Sequence, residues 1–397
     1  MIKSSIILKL KVIALLVFIF SIPFENWDPF GIAHVFSITK MAGLIYALTT
    51  LFIAKRSFSF SKQVFFPFKI LFFFYLLLTL ISIFNFDDLN TFSPINLTLF
   101  QNIIMYWIIG SDLIYRNVSI KQIMLYFILS VFLMGVLLIF GIGVGAEYVE
   151  GMSRLTFFEN NANIIGILGG LSLTFVVYFI LNPKKAFGKK SYYLLVTIPF
   201  STNILLLSGS RGALISTILA IVGMFIFRKD SGQKKVLQYL FLFLAGSIFL
   251  NKMLESQVIY QRLMETTEEG DLGGRGLIWN HTLEIYERSP VIGWGNTGFE
   301  KEMTITHGYF KDTHNLFLYI LVTTGIIGFV IFMYFLYLHF KSAVRFYKYE
   351  EDVIMLGLLL FYITTVFKSG GIINDKLMWI LLAIIIATPI ANPQIKN

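Results

Sequence analysis

The chain has 397 residues, 56% of them apolar and only 14% charged, with a mean hydropathy of +0.76 and a formal net charge of +9. A soluble domain carries about 25% charged residues and could not cover this much Leu, Ile and Phe with polar surface. The absence of cysteine excludes disulfide frameworks, thiolate metal sites and cysteine nucleophiles. The positive charge is split into short clusters between apolar runs, a loop pattern that argues against a nucleic-acid-binding surface.

In chain order, apolar runs long enough to cross a bilayer as helices are expected at 7–24, 30–54, 63–84, 94–114, 120–143, 162–182, 192–208, 211–227, 236–253, 313–340, 352–368 and 374–391. The runs are continuous, whereas barrel strands alternate apolar and polar residues. The expected fold class is therefore all-α, a polytopic transmembrane helical bundle of about 12 helices. It forms a single integral membrane domain over 1–397, with one large loop at 254–312. The apolar stretch of the first run comes after Lys3, Lys9 and Lys11, the last two at its N-terminal end, as in a signal peptide, but Pro23, Phe24 and Glu25 stand where small cleavage-site residues belong. It reads as a retained first helix. No internal repeat is legible.

One set of loops collects Lys184, Lys185, Lys189 and Lys190, then Arg228, Lys229, Lys234 and Lys235. The other set carries acidic residues such as Asp28, Asp87, Glu147 and Glu150. The positive-inside rule makes the basic set cytoplasmic, puts both termini inside and turns 254–312 outward. Within that loop, Gly273-Gly274 opens into Arg275–Arg288, where Ile278, Thr282 and Ile285 are flanked by Leu277, Trp279, Leu283 and Tyr286. This is the pattern of an amphipathic helix of about four turns, expected at the membrane surface. Ser289-Pro290 stops it, and Gly293–Gly298 reads as a glycine-rich turn.

Four places carry chemistry. Arg211 lies in Ser208-Gly209-Ser210-Arg211-Gly212-Ala213, a cation among small residues that let backbones and a ligand approach closely. Its planar guanidinium suits a phosphate; the bland alternative is an interfacial, snorkelling arginine. His314 follows Asp312-Thr313 where the large loop re-enters the membrane, nine residues before Gly325-Ile326-Ile327-Gly328. Imidazole suits proton transfer near neutral pH, and Asp312 is placed to orient it; the alternative is a polar helix cap. Arg275 and Arg288, one helix-length apart, are candidates for a phosphorylated ligand or for ordinary surface charge. Arg154, in the stretch Arg154–Asn163 that leads into the sixth span, is the fourth.

Other signals read blandly. Gly293–Gly298 spells GxGxxG with no strand before it, so a nucleotide-binding turn is not expected. Asp87-Asp88 reads as an exposed acidic turn rather than a metal pair, and His34, His281 and His307 show no ligand spacing. Lys40 and Lys69 fall inside spans, where each snorkels or faces a cavity.

Taken in order, Ser208-x-Ser210-Arg211-Gly212-Ala213, Arg275-x3-Trp279, Ser289-Pro290-x2-Gly293-x-Gly295-x2-Gly298-Phe299 and His314-Asn315-x9-Gly325-x2-Gly328 resemble the bacterial O-antigen ligase and O-antigen polymerase superfamily of integral membrane glycosyltransferases. The motifs cover about residues 200–330; the first six spans resemble that family in layout and in the Arg154–Asn163 loop. The resemblance implies an undecaprenyl-pyrophosphate-linked glycan donor at the outer face of the bacterial inner membrane. It implies a sugar-hydroxyl acceptor, and inversion without metal or cofactor. It places His314, Arg211 and Arg275 in the site. Membrane lipids are partners, with a flippase and a chain-length regulator as candidates beside them; nucleic acid is not. Polymerase is the preferred reading over ligase. The rival of another class, a polysaccharide transporter, is disfavoured by the near absence of Asp and Glu within the spans and by the missing repeat.

Overall fold

A computed structural model describes residues 2–28, 37–52, 62–85, 89–149, 152–229, 232, 239–240, 246–247, 250–256, 260, 264, 275–368 and 372–391. Asp87, Asp88, His34, Gly273 and Gly274 lie outside the described residues, as does most of the 236–253 span.

The described chain is almost wholly helical. In order it forms α1 (Ile2–Ser21), α2 (Ile38–Leu51), α3 (Lys62–Phe84), α4 (Leu89–Ile114), α5 (Ile120–Ile139), a hairpin of β1 (Val144–Val149) and β2 (Met152–Phe157), α6 (Ala162–Leu181), a 3-10 stretch (Gly188–Thr197), α7 (Ile198–Leu207) and α8 (Arg211–Phe227). Then follow α9 (Arg275–Arg288), α10 (Gly295–His307), α11 (Leu316–Glu350), α12 (Ile354–Val366) and α13 (Lys376–Ala391). Among the described residues six helices are long and apolar enough to cross a membrane: α1, α3, α4, α5, α6 and α11. α2, α8, α12 and α13 are shorter apolar helices. The all-α membrane bundle read from composition is the observed class.

Several boundaries differ from expectation for local reasons. α5 ends at Ile139 rather than 143, because Gly141 and Gly143 adopt positive φ (69° and 71°) and turn the chain into the hairpin. In the antiparallel hairpin, Glu147 pairs with Arg154, so the segment read as a loop is a strand. The 192–208 span is a 3-10 stretch followed by ten residues of α-helix, with Pro199 in the first turn of α7. The expected glycine-rich turn at 293–298 instead starts α10, whose left-handed Gly308 (φ 78°) caps its far end.

The described residues fall into two compact units. The first draws on residues within 1–57, 115–268 and 347–361, the second on 58–114, 269–346 and 362–397. In the first, α6 is the most enclosed helix, buried on nearly every face. Its small residues explain this. A Cβ at Gly166 would meet the Ser208 hydroxyl at 2.6 Å and one at Gly169 the Ser201 carbonyl at 2.9 Å, so α7 and the turn after it lie directly on the α6 backbone. In the second unit, α9 packs Ile278 and Ile285 in one cluster with Phe299 and Met303 of α10 and Val322 of α11, and Thr282 between them is buried too. The apolar stripe expected at the membrane surface is covered by protein, while Leu277 and Leu283 stay exposed.

Candidate active site

The second unit assembles Arg275, Asp312 and His314. The local sequence explains how. Asn315 caps α11: its side-chain oxygen accepts from the Phe317 and Leu318 N–H groups at 3.0 and 3.1 Å, satisfying donors that every helix start leaves open. The turn before it is braced by Thr313, whose buried hydroxyl donates to the Asn315 carbonyl at 2.8 Å. His314 takes a left-handed backbone, φ 51°, a conformation few side chains adopt. Its N–H donates to the Asp312 carboxylate at 2.7 Å. Asp312 thus holds the backbone of His314, and Nδ1 of the imidazole is buried without a hydrogen-bond partner among the described residues.

The electrostatics follow. Burial pushes the His314 imidazole below the ordinary histidine pKa; the Asp312 carboxylate pulls upward, and the Arg275 and Lys311 cations push it down again. The imidazole is therefore held neutral beside two fixed positive charges, the state a proton acceptor needs. Arg275 opens α9 with its charge at the end nearest this turn. One helical turn on, the Trp279 indole N–H donates to the Thr313 carbonyl at 2.8 Å.

Two motifs that are separate in sequence form one junction. α11 is broken at Gly325, where φ is 61° and ψ −169°, a region open essentially to glycine. The Ser289–Trp294 segment fills the break. Ile326 and Ile327 donate their N–H groups to the Pro290 and Val291 carbonyls at 2.9 and 3.3 Å, and the Trp294 N–H goes to the Val322 carbonyl at 3.0 Å. Irregular backbone inside a membrane helix is tolerated only where protein satisfies it, and this turn does so. The junction also reaches α3. A Cβ on Gly295 would stand 2.5 Å from the Ser82 Cα, and Ser82 accepts the Asn296 N–H at 2.9 Å. Asn296 in turn accepts the Tyr319 hydroxyl at 2.7 Å.

Arg288 ends α9, about 20 Å from Arg275 at 1.5 Å per residue. It pairs with Glu284 at 2.8 Å and with Glu302 at 3.3 Å, tying α9 to α10. Arg154 and Arg211 belong to the first unit. Arg154 is 5% exposed. It donates to the Ser208 carbonyl at 3.0 Å and to Asn163 at 2.8 Å, and lies 3.6 Å from Glu147. It therefore pins the hairpin to the turn that precedes Arg211. Ser210 caps α8, and Arg211, half-buried, stands at the first position of that helix. Arg154→Lys, with one ammonium in place of a fork, is expected to cost about 2 kcal/mol in bonds to a buried cation. The check is the thermal unfolding midpoint of the detergent-solubilised protein.

Reading the sequence did not single out Lys311, Tyr319 or Ser82, and it quoted Asn315 and Asn296 only as members of their motifs, with no role. The cap at Asn315 had a local signal, a polar residue immediately before an apolar run. Ser82 and Tyr319 had none, because their partners are distant in sequence.

Residues 195–333 match the model of the family described as O-antigen ligase. No curated protein matches the chain. The match spans Arg211, Arg275, the Ser289–Gly298 segment, His314 and the Gly325 break, so this region of the chain is similar to the O-antigen ligase family.

Proposed function

We propose that the protein is a membrane glycosyltransferase that polymerises undecaprenyl-pyrophosphate-linked repeat units of an O-antigen, capsule or exopolysaccharide at the outer face of the cytoplasmic membrane. The basic loops and both termini lie inside in this reading. The observation that carries it is the half-buried imidazole of His314, with Nδ1 unpartnered among the described residues and the Arg275 charge beside it.

In this reading His314 accepts the proton of the acceptor hydroxyl as that oxygen attacks the anomeric carbon of the donor. The bond from that carbon to the pyrophosphate oxygen breaks, and the leaving group departs with its electron pair. Arg275 binds the pyrophosphate and neutralises its growing charge, an electrostatic contribution that is often the largest in catalysis; Arg211 is a second cation that the resemblance alone assigns to that group. A single displacement of this kind inverts the anomeric centre and asks for no metal. Arg288, engaged by two carboxylates, and Arg154, engaged by Ser208 and Asn163, serve the framework. A flippase and a chain-length regulator are the partners such an enzyme would need.

The pH profile checks the base. Because the His314 pKa is lowered, the neutral form survives into mildly acidic solution. The rising limb of kcat/KM against pH, which reports the free enzyme, is expected below about 6.5, the value of free imidazole, and a limb at or above that value would contradict it.

The second reading is the ligase, favoured by the description of the matching family. There the acceptor is lipid A core and the donor a finished chain. A deletion strain decides between the two. A single repeat left on the acceptor means polymerase, and long lipid-linked polymer with a bare acceptor means ligase. Purified protein that converts lipid-linked glycan in detergent would exclude the transporter.

A further inference from the structure

The bonds around His314 are of two kinds. Those from Asp312, Thr313 and Asn315 run within the turn itself, between residues two apart. They shape the turn but move with it. The Trp279 N–H to Thr313 carbonyl bond joins the turn to a different helix, α9. The imidazole inherits its direction from the backbone, because its Nδ1 accepts no bond from the described residues that would fix the ring, unlike a histidine oriented by a carboxylate. The backbone at that point is left-handed, which persists for a side chain only when its surroundings hold it. Trp279 is itself braced, its ring edge-on to Phe367 at 6.5 Å, with Phe317 of α11 on Phe367 at 6.2 Å. Trp279 follows Arg275 by four positions, so both sit on one face of α9.

We propose that Trp279 is the positioning residue for His314. Its indole N–H, acting through the Thr313 carbonyl, sets the distance and direction of the imidazole relative to the Arg275 charge. This rests on the reading of His314 as base. One helix thereby delivers both a cation and the tether that keeps the base in register with it. Proton transfer tolerates little misplacement, since a displacement of about 1 Å can cost about a hundredfold in rate.

The test is Trp279→Phe in the full-length protein. It keeps a ring against Phe367 and removes the N–H. The expected result is a fall in kcat of about tenfold or more with KM for the lipid-linked donor changed less than about twofold, the signature of lost transition-state stabilisation. The second readout needs no turnover: the NMR titration of the His314 ring in isotopically labelled protein. The charged groups acting on that ring are Asp312, Arg275 and Lys311, and none is altered. A loosened turn lets water reach the ring, so its midpoint is expected to rise toward that of free imidazole. Wild-type kcat, or a wild-type titration of His314, would overturn the proposal. Should the phenylalanine variant unfold, benzothienylalanine at 279, which puts sulfur in place of the N–H, decides by the same two readouts. An active His314→Ala protein would remove the base reading, while the titration would still report whether the tether governs the ring.

Discussion

His314→Ala is expected to abolish polymer and leave lipid-linked repeat units accumulating in the membrane, with protein levels unchanged. General bases contribute about 10²- to 10⁴-fold, and the loss is expected to fall in kcat rather than in KM. The reason is local. The turn at 312–315 is shaped by the His314 backbone N–H on Asp312, by Thr313 and by the Asn315 cap, and alanine keeps every one of those bonds. Alanine does lose the tolerance of histidine for φ near +51°. Asn at this position, which visits that region readily, therefore separates chemistry from backbone strain: both variants inactive points to the imidazole, and an active asparagine variant points to the backbone. Normal polymer in the alanine variant would end the assignment of His314 as base.

The largest effect on stability is expected at Gly325→Ala. The glycine sits at φ 61° and ψ −169°, and a Cβ there would collide with the Val291 carbonyl and the Ile292 nitrogen. Backbone strain costs about 1–3 kcal/mol and overpacking a similar amount, so a loss of roughly 3–5 kcal/mol is expected. The collision drives the 290–294 segment out of the α11 break. That leaves the N–H groups of Ile326 and Ile327 without the Pro290 and Val291 carbonyls, inside a helix where lipid offers no replacement. The measurement is the thermal midpoint in detergent, followed by Trp294 fluorescence. Gly276→Ala is the control. That glycine lies in α9, where a Cβ would meet nothing within 4 Å, and alanine there is expected to be neutral or stabilising by about 0.5–1 kcal/mol. Equal unfolding midpoints for the two variants would show that the break in α11 is not held by the glycine.

Both expectations depend on features of unequal visibility in the amino-acid order. Continuous apolar runs announced α1, α3, α5, α6 and α11, because a chain in lipid satisfies its backbone within each helix and so writes each span as one unbroken segment. The stripe of Ile278, Thr282 and Ile285 announced α9 by its helical period. The short hairpin and α10 were hidden. Hairpin residues such as Val144 and Leu155 belong to no long run, and the Gly293–Gly298 string carries the composition of a turn while its second half begins a helix.

What the sequence determined alone is therefore the membrane class, most of the long helical segments and a roster of chemical groups, Arg211, Arg275 and His314 among them, since hydrophobicity and periodicity are properties of neighbouring residues. What tertiary structure decided is the work assigned to each group. Asp312 holds backbone rather than ring, Arg288 joins two helices, Arg154 fastens a hairpin to the turn before Arg211, and two glycine motifs interlock at Gly325. Each of these depends on a partner from 2 to 54 positions away, chosen by side-chain direction and packing, and no local pattern encodes which carbonyl a given donor will meet.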